Sequence, residues 1–550
     1  MTRKRRIGLL VAGALAGLTA AVVMLLIMAA TRTWLGVPPP PEAVPDRLAP
    51  TLSIDRFFDL FEKYGGYNGL KKFGVWTGIR AILAAGVGFG LVYSIISETR
   101  RSRSMRPVRG GVSPLGLMFI AGAAAAMWIG TIALLWPVLG ANYRGLPPSQ
   151  AQWLSAGTLL FEYLLFGLVL VAIYHTIAPI VAWGAFGHST ALNSPTGEFQ
   201  AGTVKRGLYP RRAVVAAIAA GLLALPTTVL IRRLWDRATF DYDGRPYSGP
   251  GVRPITPNDK FYSVTKNVVD PNVKRSWWGL EIGGMVENPT RLDFTELSSL
   301  PATDQETTLM CISNRIGSGL FSNAVWTGVP LADILTSAGV KEGAIEVMLY
   351  GADGFTDTFA IEKALDPTTM VAYMMNGEPL PERHGFPARV IVPGLYGEKN
   401  VKWVTGIEVV DHDAKGFYEQ QGWGPNFEAP TRSDIFSPQW RRTRGDNFSN
   451  TFAVGAPVRI KGRAFAGNRG IALVEASTDG GETWNPVQID YPGTDLTWTF
   501  WSYLWVPPAA GEYVVTSRAV DGDGQPQPAE ARGTVPQGAT GYHRVNAQVA

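Results

Sequence analysis

Through its first 231 residues the chain is a series of long apolar stretches broken by short polar, mostly basic ones. Ile7–Ala30 gives 24 mostly apolar residues without a charge, long enough as a helix to cross the ~30 Å hydrocarbon core of a bilayer. Comparable stretches lie near 75–96, 115–139, 159–183 and 213–231. The pattern therefore predicts an α-helical membrane domain over 1–232 with five transmembrane helices. Past Asp241 the rhythm changes. Pro246, Pro250, Pro254 and Pro257 mark 233–259 as a linker. Between 260 and 430, short apolar runs (Glu346–Tyr350, Arg389–Pro393, Trp403–Val410) alternate with turn residues around one helical stretch, Leu331–Ala338. That predicts an α+β domain. From 445 to 550, segments at 457–460, 471–477, 498–506 and 511–520 alternate among Asp-Gly, Gly-Gly and Pro-Pro breaks, and predict an all-β sandwich.

Charge gives this membrane domain a direction. Only 17% of the residues are charged, against ~25% in a typical soluble domain, and the apolar stretches account for the deficit. Arg3, Lys4, Arg5 and Arg6 precede the first stretch. Arg100, Arg101, Arg103, Arg106 and Arg109 follow the second, and Lys205, Arg206, Arg211 and Arg212 precede the fifth. The loop at 140–152 has Arg144 alone, and the six basic residues of 32–74 are diluted. The positive-inside rule then places the N-terminus inside a bacterial-type cytoplasmic membrane and everything after residue 231 on its extracytoplasmic face. The basic residues are thus topological, so the net charge of +5 supplies no argument for a nucleic-acid partner. The segment Phe57–Tyr67, rich in Phe, Leu and charges, reads as lying on the outer membrane surface.

Candidate chemistry is sparse. One cysteine excludes an intrachain disulfide and any metal cluster needing several cysteines. His175 is the only histidine inside a span, so the paired imidazoles of a membrane haem are not available, and it reads as a packed, hydrogen-bonded helix residue. No flavin motif is present. Cys311 follows an apolar run and precedes a Gly/Ser-rich loop with Arg315 nearby, surroundings that can expose a sulfur and favour its thiolate. A thiolate either attacks a substrate, with His384 available as base, or binds a soft transition metal. Spacing does not choose between them.

The wider pattern does. Cys311-Ile312-Ser313-Asn314, the stretch Ser322–Leu331, the blocks Ala372–Leu380 and His384–Gly394, and Asn400-Val401-Lys402-Trp403 together resemble the molybdenum-cofactor domain of the sulfite oxidase family. Ser477–Trp484 resembles part of that family's immunoglobulin-like dimerisation domain, and the likeness runs in order over about 255–545. The resemblance implies a molybdopterin cofactor whose molybdenum takes Cys311 as a protein ligand. It assigns the pterin and its phosphate to His384, Arg389, Asp353 and the turn Asn400-Val401-Lys402, with Tyr262, Lys266 and Asn267 lining the cofactor. An Arg fork, a Lys charge and turn amides all suit a phosphate.

Departures limit the substrate. Lys266 stands where the family shows Arg, Ile316 where a second basic residue would follow Arg315, and Trp423 near an expected active-site Tyr. Lys266, Arg315 and Trp423 are therefore the candidate substrate-pocket residues. Losing bidentate donors there should weaken sulfite or nitrate binding. Tyr209-Pro210-Arg211-Arg212 looks like an internal twin-arginine export signal, suited to a domain that crosses the membrane with its cofactor in place. The expectation is a membrane-anchored molybdopterin oxidoreductase. It would act on a small molecule by oxygen-atom transfer or a related two-electron step, pass electrons to a separate carrier, and form a homodimer through its C-terminal domain. The alternative is a non-catalytic membrane sensor or assembly protein that keeps the fold, motivated by more spans than an anchor needs. A cysteine hydrolase stands third.

Overall fold

A computed structural model describes residues 3–65, 67–101, 114–184, 247, 249–266, 270–438, 441–442 and 448–550. The chain divides into two units. The first, built from 1–47, 65–139 and 152–240, contains α1 (Arg3–Leu35), α2 (Pro40–Leu48), α4 (Tyr67–Arg101), α5 (Pro114–Leu135) and α6 (Pro148–Gly184). Four of these, α1, α4, α5 and α6, are long and apolar enough to cross a membrane. The predicted span at 213–231 and the Arg211-Arg212 pair lie outside the described residues. Helix α5 stops four residues short of the predicted end because Pro137 cannot continue it, and a 3-10 turn at Trp136–Val138 follows. Helix α6 begins eleven residues before its apolar stretch because Pro148 opens it and the Ser/Gln-rich first turns carry no hydropathy signal.

Helices α1 and α4 approach closely at glycines spaced by four. Gly13 faces Gly90 and Gly17 faces Gly86 so tightly that a methyl on any of the four would strike backbone or side chain of the other helix. Ala12, Ala16, Ala20, Tyr93, Leu159 and Leu170 are among the buried residues of this unit. The Tyr93 hydroxyl lies 3.1 Å from His175 Nε2, so that histidine is a hydrogen-bonded helix residue.

The second unit comprises 48–64, 140–151 and 241–550. It includes α3 (Ile54–Lys63), an amphipathic helix within the segment read from sequence as lying on the outer membrane surface. A five-stranded sheet runs β2 (Thr290–Leu292), β1 (Leu280–Gly284), β10 (Val404–Val410), β5 (Glu346–Gly351), β6 (Thr356–Ala360), with only β1 and β10 parallel. A second sheet runs β3 (Thr303–Met310), β4 (Phe321–Pro330), β7 (Met370–Met375), β8 (Glu378–Pro379), with β9 (Arg389–Ile391) also on β7. Short helices α7 (Phe294–Ser299), α8 (Leu331–Ala338) and α9 (Ile361–Ala364) pack between strands, and Asp293 caps α7 with a reciprocal Glu296 capping box. Trp278, Leu280, Ile282, Leu335, Val347 and Trp403 form the main core.

Two further sheets follow. One runs β11 (Arg432–Ser437), β14 (Val458–Phe465), β18 (Thr499–Trp505), β17 (Gln488–Tyr491). The other runs β12 (Arg441–Arg442), β13 (Phe448–Phe452), β20 (His543–Val549), β19 (Gly511–Asp521), β15 (Ile471–Ser477), β16 (Asn485–Pro486). Ile460 and Trp501 of the first meet Val474, Val515 and Val545 of the second in a shared core.

The segment 140–151 is threaded into this unit. Asn142 is fully buried, and its side chain accepts from Arg144 N at 2.9 Å, organising a turn. Lys274 N and Gly279 N then donate to the carbonyls of Arg144 and Gly145 at 3.0 and 3.2 Å, and Arg144 Nη1 reaches Asn272 Oδ1 at 3.0 Å.

Candidate functional site

Strand β3 delivers Cys311 at its end, and the loop Cys311–Leu320 returns the chain to β4. Cys311 N donates to Leu320 O at 3.0 Å, and Leu320 N to Asn314 Oδ1 at 2.9 Å, closing the loop on itself. The thiol is buried, 3.0 Å from Ser313 Oγ, among Phe261, Tyr262, Leu309 and Trp326. This differs from the exposed thiolate that the loop composition suggested. Burial, and then the nearby Glu398 carboxyl, push the Cys311 thiol up to about 11. Deprotonation there requires a cation close to the sulfur, as a bound metal provides.

Around Cys311 the structure gathers most of the sequence-predicted residues. Tyr262 stacks on Phe261 at 5.5 Å, and Phe261 meets His384 edge-on at 5.5 Å. His384 is buried, its Nε2–H donating to Asn258 O at 2.9 Å, and burial holds its pKa down to about 3, so the ring is neutral. Arg389 lies 5.0 Å from the centroid of the Trp326 ring. Its Nη1 and Nη2 donate to His384 O and Asn400 O at 3.1 and 3.0 Å, while Nε, buried, has no hydrogen-bond partner among the described residues. Lys402 Nζ sits 3.2 Å from Arg383 O and 3.4 Å from Ser263 Oγ, and burial lowers it to about 8. Lys266 Nζ donates to Gly354 O at 2.8 Å, tying the entry segment to the Asp353-Gly354 turn, where Asp353 Oδ1 accepts from Phe355 N at 3.0 Å.

Other predicted residues are placed differently. Asn400 is occupied on both sides: Oδ1 accepts from Val392 N at 2.7 Å and Nδ2 donates to Tyr396 O at 3.0 Å. Val401 is a core side chain beside Trp403. Both therefore shape the turn from within. Trp423 is buried with Met310, Ile312 and Phe427, and Arg315 is exposed. Asn267 lies outside the described residues.

The most telling group was not among the expected residues. Glu398, in the turn just before Asn400, has both carboxylate oxygens sealed from solvent, with only the backbone amides of Ile312 and its own residue near them, and burial followed by Asp357 raises it to about 8. Gly397 packs against the Tyr262 hydroxyl and within 3.3 Å, at a notional Cβ, of Met310 O, which sets this turn beside Cys311. On the other side Lys399 pairs with Asp357 at 2.7 Å and Glu419 at 3.3 Å. The Gly-Glu-Lys-Asn turn carries no local signal that would have singled it out. Among the described residues no cluster of three or more His, Cys, Asp or Glu could hold a metal ion alone.

A lone buried thiol on the cluster of Phe261, Tyr262 and Trp326, with Arg389 over the Trp326 ring and neutral His384 against Phe261, is a donor set that suits a polar, metal-bearing cofactor. Residues 267–418 match the oxidoreductase molybdopterin binding domain and 429–550 the Mo-co oxidoreductase dimerisation domain. The two matched domains are those of molybdopterin-dependent oxidoreductases, and sulfite oxidases and nitrate reductases are among the proteins this part of the chain is similar to. Rat mitochondrial sulfite oxidase is 29% identical over 349 residues, covering 54% of this chain and 62% of the relative. NADH nitrate reductase of Cichorium intybus is 30% identical over 305 residues, 45% of this chain and 33% of the relative. The chain thus spans about a third of the nitrate reductases it matches. The crystal structure of the sulfane dehydrogenase SoxCD from Paracoccus pantotrophus is similar at 26% identity and a TM-score of 0.45, over 51% of this chain and 76% of that one.

Proposed function

We propose that the chain is a membrane-anchored, extracytoplasmic molybdenum-cofactor-dependent oxidoreductase acting on a small molecule. The observation that carries this reading is the Cys311 thiol, the chain's single cysteine, buried in one cluster with Phe261, Tyr262 and Trp326, over whose ring Arg389 lies with its Nε unpartnered among the described residues. When bound, the molybdenum cofactor supplies two-electron chemistry, including oxygen-atom transfer. Cys311 is the thiolate ligand. Arg389 braces the His384 and Asn400 segments and offers Nε to the cofactor, while Lys402 offers a charge to its phosphate. His384, Asp353, Tyr262, Lys266 and the backbone of Asn400–Lys402 shape the rest of the cradle, with Asn267 as a further lining residue. Arg315, exposed on the Cys311 loop, Lys266 and Trp423 border the substrate. Glu398, raised to about 8 by burial, lies beside the Cys311 loop. Water is kept from the sulfur by Phe261, Tyr262 and Trp326.

Four apolar helices, with a fifth span at 213–231, anchor the protein. The extracytoplasmic side follows from charge: 48–64 and 140–151, the weakly basic connections, fold with the oxidoreductase unit. Domain bounds of 260–430 and 445–550, an immunoglobulin-like reading of the two-sheet domain, homodimerisation through it, twin-arginine export at Arg211-Arg212, and a separate electron carrier complete the proposal.

Metal and pterin analysis of the full-length protein from cofactor-competent cells tests it. We expect about one molybdenum per chain, and in Cys311→Ser a diminished and shifted sulfur-to-metal absorption. Absence of molybdenum and pterin fluorescence from the wild-type protein would exclude it and leave a sensor or assembly role.

A further inference from the structure

The loop Cys311–Leu320 carries both the thiol and Arg315, and its outer side is gripped by the C-terminal domain. On β11, Arg432 Nη2 donates to Arg315 O at 3.3 Å, and Nη1 lies 3.3 Å from Met310 Sδ, the residue preceding Cys311. Asp434, two positions on and therefore on the same face of the strand, accepts from Gly317 N at 3.1 Å and is held by Arg432 at 2.8 Å. Arg463, directly across from Asp434 on β14, donates to Ser318 O at 2.9 Å. Both guanidinium groups flank Phe321, the first residue of β4, at 5.9 and 4.5 Å from its ring centroid. His543, first residue of β20, accepts from Ile435 N through Nδ1 at 2.9 Å and sets its ring against Gly317. At Gly317, φ is +72° and a notional Cβ would lie 2.6 Å from His543 Cε1, so only glycine fits.

Arg432, Asp434, Arg463 and His543 are all buried. Buried charges are costly to desolvate, and the two-sheet core of Ile460, Val474, Trp501 and Val545 is complete without them. Arg432, Asp434 and Arg463 each place a hydrogen bond on the backbone of one loop in the neighbouring domain, and His543, held by Ile435 N, packs against that loop at Gly317. We propose that these four side chains are positioning residues for the Cys311–Leu320 loop, so that the C-terminal domain fixes where the Cys311 sulfur and the Arg315 guanidinium stand. The role is separate from dimerisation. It deepens the molybdenum reading and rests on it for its catalytic meaning.

Cys311 is the only cysteine in the chain, so a thiol probe reports on this loop alone. Iodoacetamide alkylation of the full-length, cofactor-free protein in detergent should be slow in the wild type. It should be roughly tenfold faster in Asp434→Asn and in Arg463→Met. In Arg518→Met, which breaks the partly exposed Arg518–Glu475 pair on the same domain, the rate should stay unchanged. In cofactor-loaded protein, Asp434→Asn should alter the molybdenum(V) electron paramagnetic resonance signal at unchanged metal content and unchanged oligomeric state. Should Asp434→Asn fail to fold, Arg463→Lys, which keeps the charge but loses the fork, carries the same comparison. Wild-type alkylation rates together with a wild-type resonance signal in these variants would overturn the proposal. The alkylation arm is read without metal, so its failure leaves the molybdenum reading standing, and a metal-free wild type leaves the loop-holding result standing.

Discussion

At the scale of single residues the pocket combines groups whose burial moves their protons in opposite senses. His384 is held down to about 3, below its ordinary value of 6.5, so the unfolded chain binds the extra proton as pH falls. That contribution is fully present above pH 6.5 and is lost on acidification towards 3. About 2 kcal/mol should disappear between pH 6.5 and 5 in cofactor-free protein, read as a lower unfolding midpoint, with His384→Gln flattening the profile. Glu398 acts in the reverse direction. Its folded value near 8 lies above the ordinary 4.5, so native protein keeps a proton that the unfolded chain gives up, and stability falls as pH rises from 4.5 to 8. Glu398→Gln should remove that alkaline loss; an unchanged profile would mean that Glu398 is already ionised. The motif residues around Cys311 were legible from sequence because their order is distinctive. Glu398 and Lys399 were not, since nothing local distinguishes a buried charge from a solvated one. Arg432 and His543 were hidden for a different reason: they act on a loop more than a hundred positions away.

At the scale of elements, legibility followed periodicity. Leu331–Ala338 and Ile471–Ser477 appear with the expected bounds, and β5, β9 and β10 begin within a residue of the predicted runs. Boundaries slipped where polar residues continue a helix, as in the first turns of α6, because hydropathy follows burial and not backbone geometry. The contact of α1 with α4 was unread, although the four-residue spacing of Gly13 and Gly17, and of Gly86 and Gly90, was visible. Gly17→Leu should force these helices apart at a cost of about 1–3 kcal/mol, measurable as a lower midpoint in detergent, whereas Gly88→Leu, which meets open space, should cost less.

At the scale of the whole molecule, composition separated the apolar, span-length stretches from the rest of the chain but could not show that two connecting segments, 48–64 and 140–151, fold with the C-terminal unit. Such partnerships are long-range and leave no local signature. The proposed topology predicts that external trypsin degrades the C-terminal unit in spheroplasts while the loop containing Arg103 and Arg109 survives; the opposite protection pattern would invert the orientation.

The threading of 140–151 also sets an order in time. Its carbonyls receive amide donors from Lys274 and Gly279, so the unit is complete only when both stretches of chain share one compartment. Under the proposed topology, if 241–550 folds around its cofactor before export, it must do so without this segment, which would be inserted earlier with α5 and α6. Maturation then ends with a docking event on the far side, and a chain with Asn142→Ala should accumulate as an exported, metal-loaded but unlatched precursor.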